Sequence, residues 1–117
     1  MSVIEDKALA AARIATGQSA DNTTEGVSAV EVVTLLPQII AVIKAVVALW
    51  ASCKQTPAGV ATTLQNPRPR HKVQLRWAVR THVPPEQWSQ AMSALLEVGK
   101  TVTEADAAAM LAEGGAP

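Results

Sequence analysis

Phenylalanine and tyrosine are missing from all 117 residues, so Trp50, Trp77 and Trp88 carry the entire aromatic area. A core of stacked rings is therefore excluded. Alanine takes their place, a strong helix former small enough to let helices approach closely. Cysteine occurs once, at Cys53, so no internal disulfide can form. A lone thiol without neighbouring His or Asp is expected to serve as a small buried hydrophobe.

Catalytic signatures are absent as well. The chain has no G-x-S-x-G, H-E-x-x-H, C-x-x-C or G-x-G-x-x-G. Gly99-Lys100-Thr101 imitates the end of a phosphate-binding loop, but the glycine required five residues earlier is Ala94. His71 and His82 stand eleven residues apart with no carboxylate or thiol near them in sequence. They read as surface residues, not metal ligands. No catalytic, cofactor-binding or metal-binding residue is assigned, no small-molecule substrate is implied, and the expectation is a protein that is not an enzyme. The N-terminal segment has acids where a secretory signal needs bases, so a cytoplasmic location is the default and the sequon Asn22-Thr23-Thr24 carries no weight.

The most informative gap is in charge. No acidic residue occurs from Val32 to Pro85, where seven cations stand: Lys44, Lys54, Arg68, Arg70, Lys72, Arg76 and Arg80. Residues 1–31 carry a net charge of −3 and residues 86–117 a net charge of −4, so the whole chain is neutral. Charge segregated this way either pairs within the fold, pairs between subunits, or presents a basic face to an anionic partner.

The local signals describe one domain, residues 1–117, of mostly helical α+β class. Ser2-x-x-Glu5 is a capping box that starts a helix over Val3–Thr16, with Gly17 as its stop. Residues 17–27 are polar and turn-rich. Ser28-x-x-Glu31 repeats the capping box and opens a long apolar helix from Ala29 to Ser52, with a kink expected at Pro37. A competing reading makes Val30–Leu36 a strand. Residues 55–71 form a proline-rich connector. From Lys72 to Val83 apolar and polar residues alternate: Val73, Leu75, Trp77 and Val79 on one face, Lys72, Gln74, Arg76, Ala78, Arg80 and His82 on the other. This predicts a strand over 72–83 with Trp77 turned into the core. Pro84-Pro85 then open a helix through Val98, and Thr103 with Asp106 caps a last short one. A single strand has no ladder partner, so its pairing is expected from Gly59–Leu64, from Val30–Leu36 or from another chain.

The long apolar helix carries the functional expectation. From Val32 to Ala51 it has the roughly 20 residues needed to cross a hydrocarbon core. Lys44 near its middle costs about 2.5–3.5 kcal/mol on insertion, which leaves the balance near zero. Glu31, Thr34, Gln38, Ala41, Ala45, Ala48 and Ser52 draw a small-or-polar stripe that would let another helix approach closely, with Trp50 beside it. So much apolar surface exceeds what one small domain is expected to cover. The favoured reading is thus a structural subunit, a homo-oligomer or a part of a larger assembly, whose basic residues Arg68, Arg70, Lys72, Arg76 and Arg80 pair with acidic segments. A holin-like membrane protein is the first alternative. The second is a nucleic-acid-binding accessory protein using residues 68–82, although a helix-turn-helix is excluded by the acidic "EADAAAMLAEG" where the recognition helix would lie. The tail "LLEVGKTVTEADAAAMLAEGGAP" resembles phage portal C-termini over a fifth of the chain, without a specific motif, and implies a virion component.

Overall fold

The computed structural model describes residues 2–17 and 27–115, backbone only for 27–31 and 115. It is all-α: α1 (Val3–Ala15), α2 (Val27–Ser52), α3 (Pro57–Gln65), α4 (Pro69–His82), α5 (Trp88–Gly99) and α6 (Glu104–Met110). A 3₁₀ turn at Pro85–Gln87 leads into α5, and a π-helical turn over Leu111–Gly115 follows α6. The α+β expectation is overturned, since the described residues contain no strand.

The segment read as a strand, 72–83, lies in α4 and its C-cap Val83, and the reason is visible in its core residues. Leu75, Ala78 and Val79 are buried and spaced i, i+3, i+4, which only a helix brings to one face. Val73 and Trp77, which alternation would place with them, point outward. Pro69 at the first helical turn fixes the φ a helix needs, and the Arg68 N–H donates to His71 Nδ1 at 3.4 Å. A helix also satisfies its backbone within itself, so the missing ladder partner never arises. The proposed pairing segment Gly59–Leu64 is likewise helical, inside α3, capped by Thr56 Oγ1 accepting from the Gly59 N–H at 3.1 Å. The expected irregular connector is thus largely α3 and the start of α4.

α2 is the axis of the bundle. It packs against α1, α4 and the C-terminal turn, with α5 behind α1 and α6 against α3. Leu35, Ile39, Val42, Val46 and Val47 are fully buried along it. Leu36, Ile40 and Leu49 are partly buried against the same core, which leaves Val33 as its one large apolar side chain standing well exposed among the described residues. The chain itself thus covers one face of this apolar helix, with the large aliphatics there packed into its own core. Val32–Ser52 remains long and apolar enough to cross a membrane by length and composition alone, at a mean hydropathy of 2.3. Pro37 lies within α2 on its exposed side. Beyond Ser52 the chain turns with Lys54 at φ 63°, a left-handed residue that lets the Gln55 N–H reach the Trp50 carbonyl at 3.1 Å.

The two ends of the chain meet. The Glu113 carboxylate accepts from the N–H groups of Val3 and Ile4 at 2.9 and 3.0 Å, adding to Ser2 at the start of α1. Lys7 pairs with Asp106 at 3.4 Å and donates to Thr101 Oγ1 at 3.0 Å. Elsewhere Gly99 is buried where α5 crosses α3, and a Cβ there would overlap the Leu64 carbonyl oxygen.

Candidate interaction face on α4

Fourteen residues of α4 put two different surfaces on opposite sides of one helix. Inward, Leu75, Ala78 and Val79 enter the core. Gln74 accepts a 2.8 Å hydrogen bond from Trp50 Nε1, and His71 meets the Trp50 ring edge-on at 5.9 Å. These two contacts lock α4 to α2. The His71 pKa is lowered, first by burial and then by the charges of Arg70 and Arg68, which favours the neutral ring that accepts the Arg68 N–H.

Outward, Arg68, Arg70, Lys72, Arg76 and Arg80 are all exposed. Lys72, Arg76 and Arg80 follow one another at i, i+4, i+8, so they form one row along the helix. Beside that row Val73 and Trp77, again i and i+4, make an apolar ridge that is 58% and 55% exposed. The sequence reading set Trp77 across from the arginines; in the helix it stands among them.

None of these five cations is in an ion pair among the described residues. The ion pairs found there are Lys7–Asp106 and Lys100–Glu97. The C-terminal acids Asp106 and Glu113 are committed to α1 and so do not neutralise the α4 cations. Asp106 titrates below its ordinary value, chiefly through the Thr103 N–H and further through Lys7.

On the other side of the arginine row a groove of about 440 Å³ runs between α4 and α5. Its floor is Val79, Trp88, Met92 and Leu96, and Arg76 and Arg80 form one rim. Ser89 and Ser93 line the α5 wall. The Arg80 guanidinium lies 5.1 Å from the Trp88 ring centroid, a cation–π contact that holds it at the groove edge. Trp88 is itself fixed by donating Nε1–H to the Val83 carbonyl at 2.6 Å.

The other residues singled out from sequence are not gathered into a site. Thr34, Ala48 and Ser52 are exposed on α2, and Gln38, Ala41 and Ala45 are half-buried. Gln38 Oε1 is enclosed without a hydrogen-bond partner among the described residues. Trp50, expected beside that stripe, is 2% exposed and belongs to the chain's own core. Cys53, expected to be buried, is exposed past the end of α2. Among the described residues no three His, Cys, Asp or Glu side chains come together in a way that could hold a metal ion. Comparison with family models, with curated proteins and with solved structures finds no match. The class defined by fold and surface is thus an all-α bundle that displays one basic helix with an apolar ridge.

Proposed function

We propose that the chain is a non-enzymatic assembly subunit that docks on an acidic protein partner through the outer face of α4. One observation carries this: five exposed cations without an ion-pair partner among the described residues surround an exposed Val73–Trp77 ridge. Neutralisation within the chain was one of three ways to settle the charge, and Glu97, Asp106 and Glu113 are engaged away from α4. Tryptophan and arginine dominate the energetics of protein interfaces, and an apolar centre with a charged rim is the usual anatomy of such a patch. The rim charges steer encounter and reject basic partners, while the ridge supplies the buried area. An oligoglutamate peptide of about twenty residues, labelled and followed by fluorescence anisotropy at low salt, tests it. Binding by the natural chain and its loss in the Arg76→Glu, Arg80→Glu double variant are expected. No binding, or binding indifferent to the reversals, refutes the reading.

Single-stranded nucleic acid is the second reading, favoured by Trp77 sharing a face with the cations, because a base can stack on such a ring. Five phosphate contacts would make log K fall by roughly 3.5 per decade of salt. Oligothymidylate bound more tightly than oligoglutamate, with that slope and with tryptophan quenching lost in Trp77→Ala, would replace the first reading by the second.

A further inference from the structure

The outer surface of α4 is divided lengthwise, and the division specifies what can lie on it. Around the helix the order is groove, arginine row, apolar ridge: Val79 on the floor of the groove, then Arg76 and Arg80, then Val73 and Trp77. Arg76 and Arg80 sit one helical turn apart, about 6 Å along the axis. An occupant that meets all three strips presents apolar groups on both sides of a line of carboxylates with the same spacing. In a helix, carboxylates at i and i+4 have that spacing and flanking apolar positions lie on either side of them. An added β-strand is not an option on this face, because α4 and α5 offer no sheet edge; a helix laid in a groove is the remaining common mode.

We infer that the docking partner's recognition segment is an acidic amphipathic helix: carboxylates at i and i+4 contact Arg76 and Arg80, one apolar flank enters the α4–α5 groove, and the other covers Val73 and Trp77. This rests on the reading of α4 as a docking face for an acidic protein. Charge complementarity sets the sign of the partner. The preset Arg80, held on Trp88, lowers the ordering cost on one side of the pair. The groove has about 440 Å³ to receive side chains of a partner helix, and Val79, Trp88, Met92 and Leu96 make its floor apolar.

Two synthetic peptides of identical composition test it, one with leucines flanking glutamates at i and i+4, the other scrambled. Titration against the full chain is expected to show the patterned peptide binding at least tenfold more tightly. Ser93→Trp and Ser89→Trp fill the groove from exposed positions and leave the core intact. Each is expected to bring the patterned peptide down to the scrambled one, with thermal unfolding unchanged. Equal binding of both peptides, or tight binding that survives the filled groove, overturns the inference while leaving charge-driven docking on α4 in place. Failure of both peptides and of oligoglutamate would sink the docking reading itself. Self-association of the chain by light scattering that Ser93→Trp abolishes would make a second copy the occupant and overturn the assignment.

Discussion

Val73 and Val79 separate the helical account of residues 72–83 from an alternating strand, because a strand places both on one face whereas α4 places them apart. Val79 is 1% exposed and Val73 is 58% exposed. Truncating Val79 to alanine removes two methyl groups from the α4 core face, about 1.5 kcal/mol of transfer energy at ~0.8 per group. The residual cavity adds to this, for a total of about 2–3 kcal/mol. Unfolding entropy near 2.1 cal/mol/K per residue amounts to about 0.25 kcal/mol/K for a chain of this length, so the melting temperature should fall by about 10 °C. Val73→Ala, exposed and outward, should stay within about 0.5 kcal/mol, a shift of about 2 °C or less. Thermal unfolding followed by circular dichroism at 222 nm reads both. Comparable losses for the two variants would refute the placement of α4.

Three further outcomes follow from particular contacts. Glu113→Ala removes the carboxylate that accepts from Val3 and Ile4 at the start of α1 and should cost about 1 kcal/mol, toward the low end for a cap because the site is open to solvent and screened by salt. Partial burial raises the Glu113 pKa, but the Ile4 and Val3 N–H groups outweigh it and the net shift is downward from 4.5. A lowered carboxylate pKa stabilises the fold above the unfolded value. The gap between natural chain and variant, measured by denaturant titration, should therefore be full at neutral pH and close as pH falls below about 4.5 through the folded pKa. Lys54→Gly relieves a left-handed residue and should raise the urea midpoint by an amount equivalent to about 1 kcal/mol; an unchanged or lower midpoint would contradict the strain at φ 63°. Gly99→Ala drives a methyl group into the Leu64 carbonyl and should cost about 2 kcal/mol or more in the same titration, although alanine is the better helix former.

The local signals at Ser2, Gly17 and Thr103 hold in the structure, whereas Ser28, expected to cap α2, lies inside it because the helix begins at Val27. Ser2 accepts from the Glu5 N–H at 2.9 Å, Thr103 and Asp106 form a reciprocal cap, and Gly17 takes φ 81° after α1. These features depend on neighbours within four residues. The error at α4 came from a pattern that two periods share. Val73, Leu75, Trp77 and Val79 satisfy a repeat of two, while Leu75, Ala78 and Val79 satisfy a helical one, and alanine at 78 is too small to announce itself as core. Pro57 and Pro69 lie in the segment expected to be an irregular connector, yet each starts a helix at its first turn, where a missing N–H costs nothing. The candidate face was half legible. Its cations stand out in any count of charge, but Trp77 joins them only once the segment is helical. The groove was hidden, since Arg76, Arg80, Trp88 and Met92 come from two elements and meet only through packing. The covering of α2 was hidden for a non-local reason: what packs on Leu35, Ile39 and Val46 arrives from α1, α4 and the C-terminal turn.

Acidic polypeptide is expected to settle on the outward side of α4. Amide and indole resonances of the ¹⁵N-labelled chain, recorded while unlabelled oligoglutamate is added, address this residue by residue. Shifts confined to positions 68–80 and to the Trp77 indole N–H, saturating together, are the expected result. Spectra that do not move, or shifts that gather on α2 or around Cys53 instead, would contradict it.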